Sequence, residues 1–311
     1  FDCDALTEFT TEANPGTVMP EHLTVWQQMG INRVSLGLQS AQNRELQMLG
    51  RIHSYEEFLT TYQMIRQSGM DQINIDVMAA IPEQTLESYQ DTLEKIVSLN
   101  PEHISSYSLI IEPGTVFGDW EKKGTLKHVD EDVDRQMYEW TGKYLQHMGY
   151  QRYEISNYCR DGMECRHNCV YWSGGEYLGL GVNASSYLTG YRFHVPVSQK
   201  TYRSYVDRIC VLAEKESEGL KKAVQEMDEL EFIDQRAQME EFMFLGLRMM
   251  AGVSEQEFYQ RFGISMMEVY GDIIKKYQNM DLLCRRDTGR VALTEKGIDV
   301  SNSILSDFLL N

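Results

Sequence analysis

The chemically richest residues of this chain are crowded into one run. Glu154 to Tyr187 holds three of the six cysteines, one of the seven histidines, and several aromatics and glycines. Cys159, Cys165, His167 and Cys169 are of the types that hold zinc, but their spacing fits no standard zinc pattern. An irregular, turn-rich run like this is either a site or a long connection around a buried aromatic cluster, and composition leaves both open. A second set, Glu12, Gln39 and Asp76, lies upstream, each residue late in a strand-like run.

These residues need elements to position them. From Phe9 to Pro113 strand-like runs alternate with amphipathic helices, the pattern of βα units on a parallel sheet. The expected strands are Glu8 to Glu12, Arg33 to Ser40, Ile73 to Met78 and His103 to Ile111. The expected helices run from Pro20 to Met29, from Ser54 with Glu57 as a capping box, and from near Thr85. Successive strand residues point to opposite faces, so Val34, Leu36 and Leu38 oppose Ser35, Gly37 and Gln39, while Ile73, Ile75 and Val77 oppose Asn74 and Asp76. In a barrel the apolar set packs under helices. The polar set then lines an interior, and Glu12, Gln39 and Asp76 fall toward the carboxyl-terminal rim where such barrels bind ligands.

Beyond Gly114 a charged connection leads to a strong helix, about Asp130 to His147, and a short strand, Arg152 to Ser156. A hairpin around Gly190 and a helix carrying Tyr202, Tyr205, Ile209 and Leu212 follow. The charged segment Glu214 to Glu231 reads as a linker. After it, helices at Ala237 to Met250, from Ser254 and at Ser265 to Asn279 precede a hairpin around Asp287-Thr288-Gly289 and a last helix, a winged-helix-like order.

With 311 residues and 42% hydrophobic content the chain can bury a large core. No apolar run approaches the roughly 18 to 20 residues that cross a bilayer, so no transmembrane segment and a cytoplasmic location are expected. A net charge of −18 repels a phosphate backbone, which argues against nucleic acid as a partner and makes the winged module a lid or interaction element. The chain starts Phe1-Asp2-Cys3 without an initiator Met, and it is expected to lack its beginning.

The segments EFTTEANPG, INRVSLGLQS, LGRIHS, NIDVMAAIPEQT and HISSYSLIIEPGT resemble the radical S-adenosylmethionine enzymes of the oxygen-independent coproporphyrinogen oxidase group, and within it the HemW-type heme chaperones. The resemblance spans nearly the whole chain. It implies that Glu12, Gln39, Arg51 and Asp76 bind S-adenosylmethionine. The residue types suit this: carboxylates and an amide can hold ribose hydroxyls and an amino group, and a guanidinium can grip a carboxylate. Arg51 enters only through the resemblance.

The family's Cys-x3-Cys-x2-Cys triplet, which binds a 4Fe-4S cluster, is missing: Cys3 stands alone and Cys165-x3-Cys169 lacks a third member. The resemblance places the cluster ligands upstream of Phe1. It also matches His167, Asn168, Tyr171 and Trp172 to the His-Asn-x2-Tyr-Trp motif associated with heme, where an imidazole can ligate iron and aromatic rings can flank a porphyrin. A structural role for His167, hydrogen-bonded inside a loop, is the competing reading, and His53 is a weaker candidate of the same kind.

The expected architecture is α/β, a partial (β/α) radical S-adenosylmethionine barrel over residues 1–115, a middle extension over 116–213 and a winged-helix-like α+β domain over 214–311. The expected function is heme binding and delivery to a hemoprotein recipient. The alternatives are oxidative decarboxylation of coproporphyrinogen III to protoporphyrinogen IX, and a cluster-free interaction scaffold.

Overall fold

The computed structural model describes residues 5–195, 202–204, 206–207 and 230–310. Cys3 lies outside them, as do most of the segment expected to form a helix around Tyr202 to Leu212 and most of the charged run Glu214 to Glu231. Contacts divide the chain into two compact units, Phe1–Glu164 and Cys165–Asn311.

The first unit is a six-stranded sheet in the order β1-β2-β3-β4-β6-β5. Strands β1 (Thr10–Ala13), β2 (Arg33–Gln39), β3 (Ile73–Ala79) and β4 (His103–Ser108) are parallel, as the βα alternation requires. The hairpin of β5 (Gln151–Glu154) and β6 (Asn157–Cys159) adds antiparallel to β4, so residues just past the helix at 131–147 complete the sheet of the βα units. Helices α1 (Pro20–Met29), α2 (Asn43–Met48), α3 (Tyr55–Gln67), α4 (Leu86–Ser98), α5 (Val116–Lys122) and α6 (Glu131–His147) connect the strands.

Strand parity sorts the side chains as the sequence implies. Val34, Leu36, Leu38, Ile73, Ile75, Val77 and Ile104 are fully buried. They pack with Phe58, Tyr62 and Ile65 of α3, Tyr89, Leu93 and Ile96 of α4, and Met137 and Leu145 of α6. Burial of that stripe is the main force holding the helices to the sheet. The opposite face carries Ser35, Gln39, Asn74, Asp76, His103, Ser105 and Tyr107.

Local signals fix the helix starts. Ser54 Oγ accepts from the Glu57 amide at 3.2 Å while a Glu57 carboxylate oxygen accepts from the Ser54 amide at 2.7 Å, so the capping box closes in both directions. Replacing Ser54 by alanine is expected to cost about 1 kcal/mol in urea unfolding. An unchanged midpoint would show that the cap contributes nothing.

Two expectations shift. The fourth strand ends at Ser108 rather than Ile111, because Pro113 offers no amide hydrogen and Gly114, at φ 84°, turns the chain into α5. Helix α2 was not anticipated. It is short, and it is anchored by the buried carboxylate of Glu45, which accepts from Ser40 Oγ at 2.6 Å, Gln84 Nε2 at 2.9 Å and Ser88 Oγ at 2.6 Å.

The second unit opens with helix α7 (Arg166–Trp172), inside the run expected to be irregular. The hairpin around Gly190 is present as β7 (Ser185–Leu188) and β8 (Tyr191–His194), to which β9 (Glu231–Phe232) adds. Then come α8 (Gln235–Gly246), β10 (Val253–Ser254), α9 (Glu255–Phe262), α10 (Met266–Asn279), β11 (Leu283–Arg285), β12 (Arg290–Leu293) and two short helices, α11 (Glu295–Asp299) and α12 (Ser301–Ser306), where one had been expected. Strands β10, β12 and β11 form an antiparallel wing behind α9 and α10, which is the winged-helix-like arrangement. Among the described residues no helix is long and apolar enough to cross a membrane.

Candidate functional site

The polar face of the first unit gathers Glu12, Gln39, Arg51 and Asp76 around one hydroxyl. Register sets the frame: Glu12 pairs with Ser35, Gly37 with Asp76, and Asp76 with Ser105. Between Gly37 and Gln39 the β2–β3 register slips, and Gln39 takes a left-handed backbone at φ 73°, a conformation that costs energy for a residue with a Cβ. The slip aims the buried Gln39 amide back over Gly37. A Cβ at Gly37 would lie 3.0 Å from Gln39 Nε2, so the glycine leaves room for that amide.

Tyr107, near the end of β4, donates to Gln39 Oε1 at 3.3 Å. Its phenol is pushed up to about 12, chiefly by burial and next by Asp76, with Glu12 adding to the rise and Arg51 opposing it. Tyr107 thus feels all four residues. Arg51 Nη1 donates to Asn14 Oδ1 at 3.1 Å, which places the guanidinium over the turn that follows β1.

Asp76 is the most constrained member. One carboxylate oxygen accepts from Asn74 Nδ2 at 2.7 Å and the other from Ser35 Oγ at 3.2 Å. Burial nevertheless raises its pKa above the ordinary carboxylate value, with Glu12 pushing the same way. A desolvated carboxylate beside a second carboxylate, an amide and a guanidinium forms a set with several acceptor oxygens and one cationic fork. It suits a ligand that brings hydroxyls and an ammonium group, together with a carboxylate for Arg51.

His53 does not belong to this set. It is buried, and its Nε2 donates to the Leu38 carbonyl at 3.3 Å; burial lowers its pKa, so it is a satisfied core histidine. Tyr107 and His103 are contributors that the sequence reading passed over, whereas strand parity already puts Asn74 on the polar face. Extending strand parity to His103-Ile104-Ser105-Ser106-Tyr107 would have put His103 and Tyr107 on the polar face.

In the second unit the four residues of the His-Asn-x2-Tyr-Trp run do not form one surface. His167 and Tyr171, four apart on α7, meet edge to face with centroids 4.9 Å apart, and Tyr171 Oη lies 3.1 Å from His167 Nε2. Tyr171 continues into Tyr177 at 4.6 Å and Tyr177 into Tyr187 at 6.4 Å, an aromatic ladder with the exposed His167 at its end. Trp172, about 100° further round the helix, instead lines a cavity of about 320 Å³ with Cys169, Phe242 and Val253. The Arg248 guanidinium lies 4.3 Å from the indole centroid and covers one of its faces. Asn168 is half-buried.

Among the described residues no three His, Cys, Asp or Glu side chains gather as a metal site, so Cys159, Cys165, His167 and Cys169 do not form the zinc centre that their types allowed. Cys159 and Cys165 are buried, and Cys169 and Cys284 are half-buried.

A parallel β/α sheet with this polar set at the carboxyl ends of its strands marks a radical S-adenosylmethionine fold, and residues 4–96 match the Radical SAM superfamily while residues 233–300 match the HemN C-terminal domain. The structure of coproporphyrinogen III oxidase (HemN) from Escherichia coli, a radical SAM enzyme, superposes with a TM-score of 0.75 over 97% of this chain and 69% of that one; at 19% identity the likeness is one of fold. The chain is 34% identical to the heme chaperone HemW of Lactococcus lactis over 311 residues, covering 100% of this chain and 78% of that protein. It is also 34% identical to HemW of Bacillus subtilis over 304 residues, covering 98% and 76%. The chain belongs to the HemW family of the radical SAM superfamily.

Proposed function

We propose that this protein is a heme chaperone: it takes up heme through the exposed end of the His167–Tyr171 ladder and passes it to a hemoprotein, with S-adenosylmethionine held on the polar face of the first unit. The carrying observation is that close relatives in sequence are heme chaperones while the His-Asn-x2-Tyr-Trp helix presents an imidazole at the surface, where iron can reach it. A cytoplasmic place of action belongs to the same reading.

The residues of the first unit fit S-adenosylmethionine. Asp76, Glu12 and Gln39 would take its hydroxyls and amino group, Arg51 its carboxylate, and Tyr107 would close the set. When bound, this cofactor supplies the sulfonium from which the superfamily draws its radical chemistry. The side chains would bind it and orient it. The iron–sulfur cluster is a different matter. The sequence holds no Cys-x3-Cys-x2-Cys run, so this chain's own residues do not fit it and no step here passes through it.

Titrating hemin into the full-length protein and following the Soret band, then mixing with an apo-hemoprotein, tests the proposal. Uptake followed by transfer supports it. Turnover of coproporphyrinogen III without heme transfer would replace it with the oxidase reading.

A smaller effect is expected at Tyr171. Its hydroxyl lies 3.1 Å from His167 Nε2, an atom that could ligate iron, so Tyr171→Phe removes one competing contact while keeping the ring. Heme affinity should rise about two- to fivefold, the worth of one exposed hydrogen bond. A fall of that size would mean that the hydroxyl itself contacts heme.

A further inference from the structure

A line of buried hydrogen bonds runs from the antiparallel edge of the sheet to Asp76. Asn74 Nδ2 donates to Asp76 at 2.7 Å and to Ser35 Oγ at 2.7 Å. The nitrogen end of the amide is therefore committed to this side, since a flipped amide would set its oxygen against the Asp76 carboxylate. Asn74 Oδ1 then faces His103 Nδ1 at 2.6 Å and Ser105 Oγ at 3.1 Å, and it accepts from both. With the proton on Nδ1, His103 Nε2 is an acceptor, and Tyr153 Oη donates to it at 2.9 Å. Every donor along the line points toward Asp76, and all four hydrogen-bonding positions of Asn74 are filled.

The environment keeps the line in this polarity. His103 is 1% exposed, and burial holds its pKa well below the ordinary value, with the nearby Arg33 guanidinium acting in the same direction. A neutral imidazole has one N–H, and Asn74 takes it. The charged group that acts on Asp76 is Glu12, on β1 with β2 between them, while Tyr107 on β4 feels Asp76, Glu12 and Arg51.

We infer that Tyr153, His103 and Asn74 form a positioning chain that fixes the Asp76 carboxylate as a hydrogen-bond acceptor with its remaining lone pairs turned to the ligand. Tyr153 and His103 touch no ligand; they act through Asn74. The inference deepens the reading of Asp76 as a cofactor-holding residue and rests on it for its functional meaning. The hairpin β5–β6 gains a role: it carries the tyrosine that sets the tautomer of His103 from the far edge of the sheet.

The test uses carbon-13 NMR of the Asp76 carboxyl in the ligand-free protein, with calorimetric titration of S-adenosylmethionine into the full-length protein carrying its cluster. In His103→Leu the Asn74 amide loses its anchor, so the Asp76 midpoint should move up by about half a unit or more and S-adenosylmethionine affinity should fall about tenfold. His103→Asn, whose amide nitrogen can stand where Nδ1 stood, should restore much of both. Tyr153→Phe, nearly isosteric, should move both in the same direction by a smaller step, and it decides alone if His103→Leu does not fold. A folded Tyr153→Phe or His103→Leu with Asp76 titration and S-adenosylmethionine affinity unchanged overturns the inference. If Asp76→Asn leaves S-adenosylmethionine affinity unchanged while His103→Leu still moves the Asp76 midpoint, the positioning chain stands and the cofactor reading of this face falls.

Discussion

Asp76→Asn should weaken S-adenosylmethionine binding about ten- to a hundredfold and, in the ligand-free protein at neutral pH, make the fold more stable. The loss of affinity follows from replacing charge-assisted hydrogen bonds to ligand donors by neutral ones, a difference of about 1.5–3 kcal/mol. The gain in stability follows from the direction of the pKa. Burial raises Asp76 above its ordinary value of 3.8, with Glu12 adding to the rise. A carboxyl whose pKa is raised on folding favours the folded state below the ordinary value, and that contribution is lost as the pH climbs through the raised one. Asparagine never ionises. The variant's advantage should therefore be absent in acid and grow as the pH rises through the Asp76 midpoint, which urea unfolding between pH 3 and pH 7 would follow.

Both effects must appear together. A variant that loses affinity without gaining stability would mean that the Asp76 carboxylate is already well compensated in the empty protein. One that gains stability without losing affinity would remove Asp76 from the cofactor site.

Much of this site was legible because strand geometry is simple. Period-two alternation in Arg33 to Gln39 and Ile73 to Asp76 sorted core from pocket without any knowledge of partners, and burial of Val34, Leu36, Ile73 and Ile75 bears it out. What stayed hidden depends on distance along the chain. His103 and Tyr153 are separated by 50 positions, and no local pattern says that a tyrosine from an antiparallel hairpin will reach a histidine on a parallel strand. Gln39 was identified by parity, but the register slip that turns its amide over Gly37 arises from pairing between strands. Helix α7 is the clearest omission. His, Asn, Cys, Val, Tyr and Trp are mediocre helix formers, and two glycines follow, so propensity reads Arg166 to Gly175 as loop. The helix is held from outside, by Arg248 over Trp172 and by the aromatic ladder below Tyr171.

That same helix makes His167 the position where heme binding should be most sensitive. His167→Ala should lower hemin affinity at least tenfold, about 1.4 kcal/mol or more, with loss of the spectral signature of imidazole-bound iron. An axial ligand contributes a direct bond to the metal that ring contacts do not replace. The side chain is exposed and meets the edge of Tyr171, so thermal stability should change by no more than about 0.5 kcal/mol. This separates lost ligation from lost structure. Trp172 offers the contrast, because its indole lines a cavity and packs under Arg248. Substitution there should lower stability first, and heme affinity only as a consequence. If His167→Ala titrates with hemin as the unmodified protein does, iron is held elsewhere, and the tyrosines at 171, 177 and 187 become the side chains to replace next.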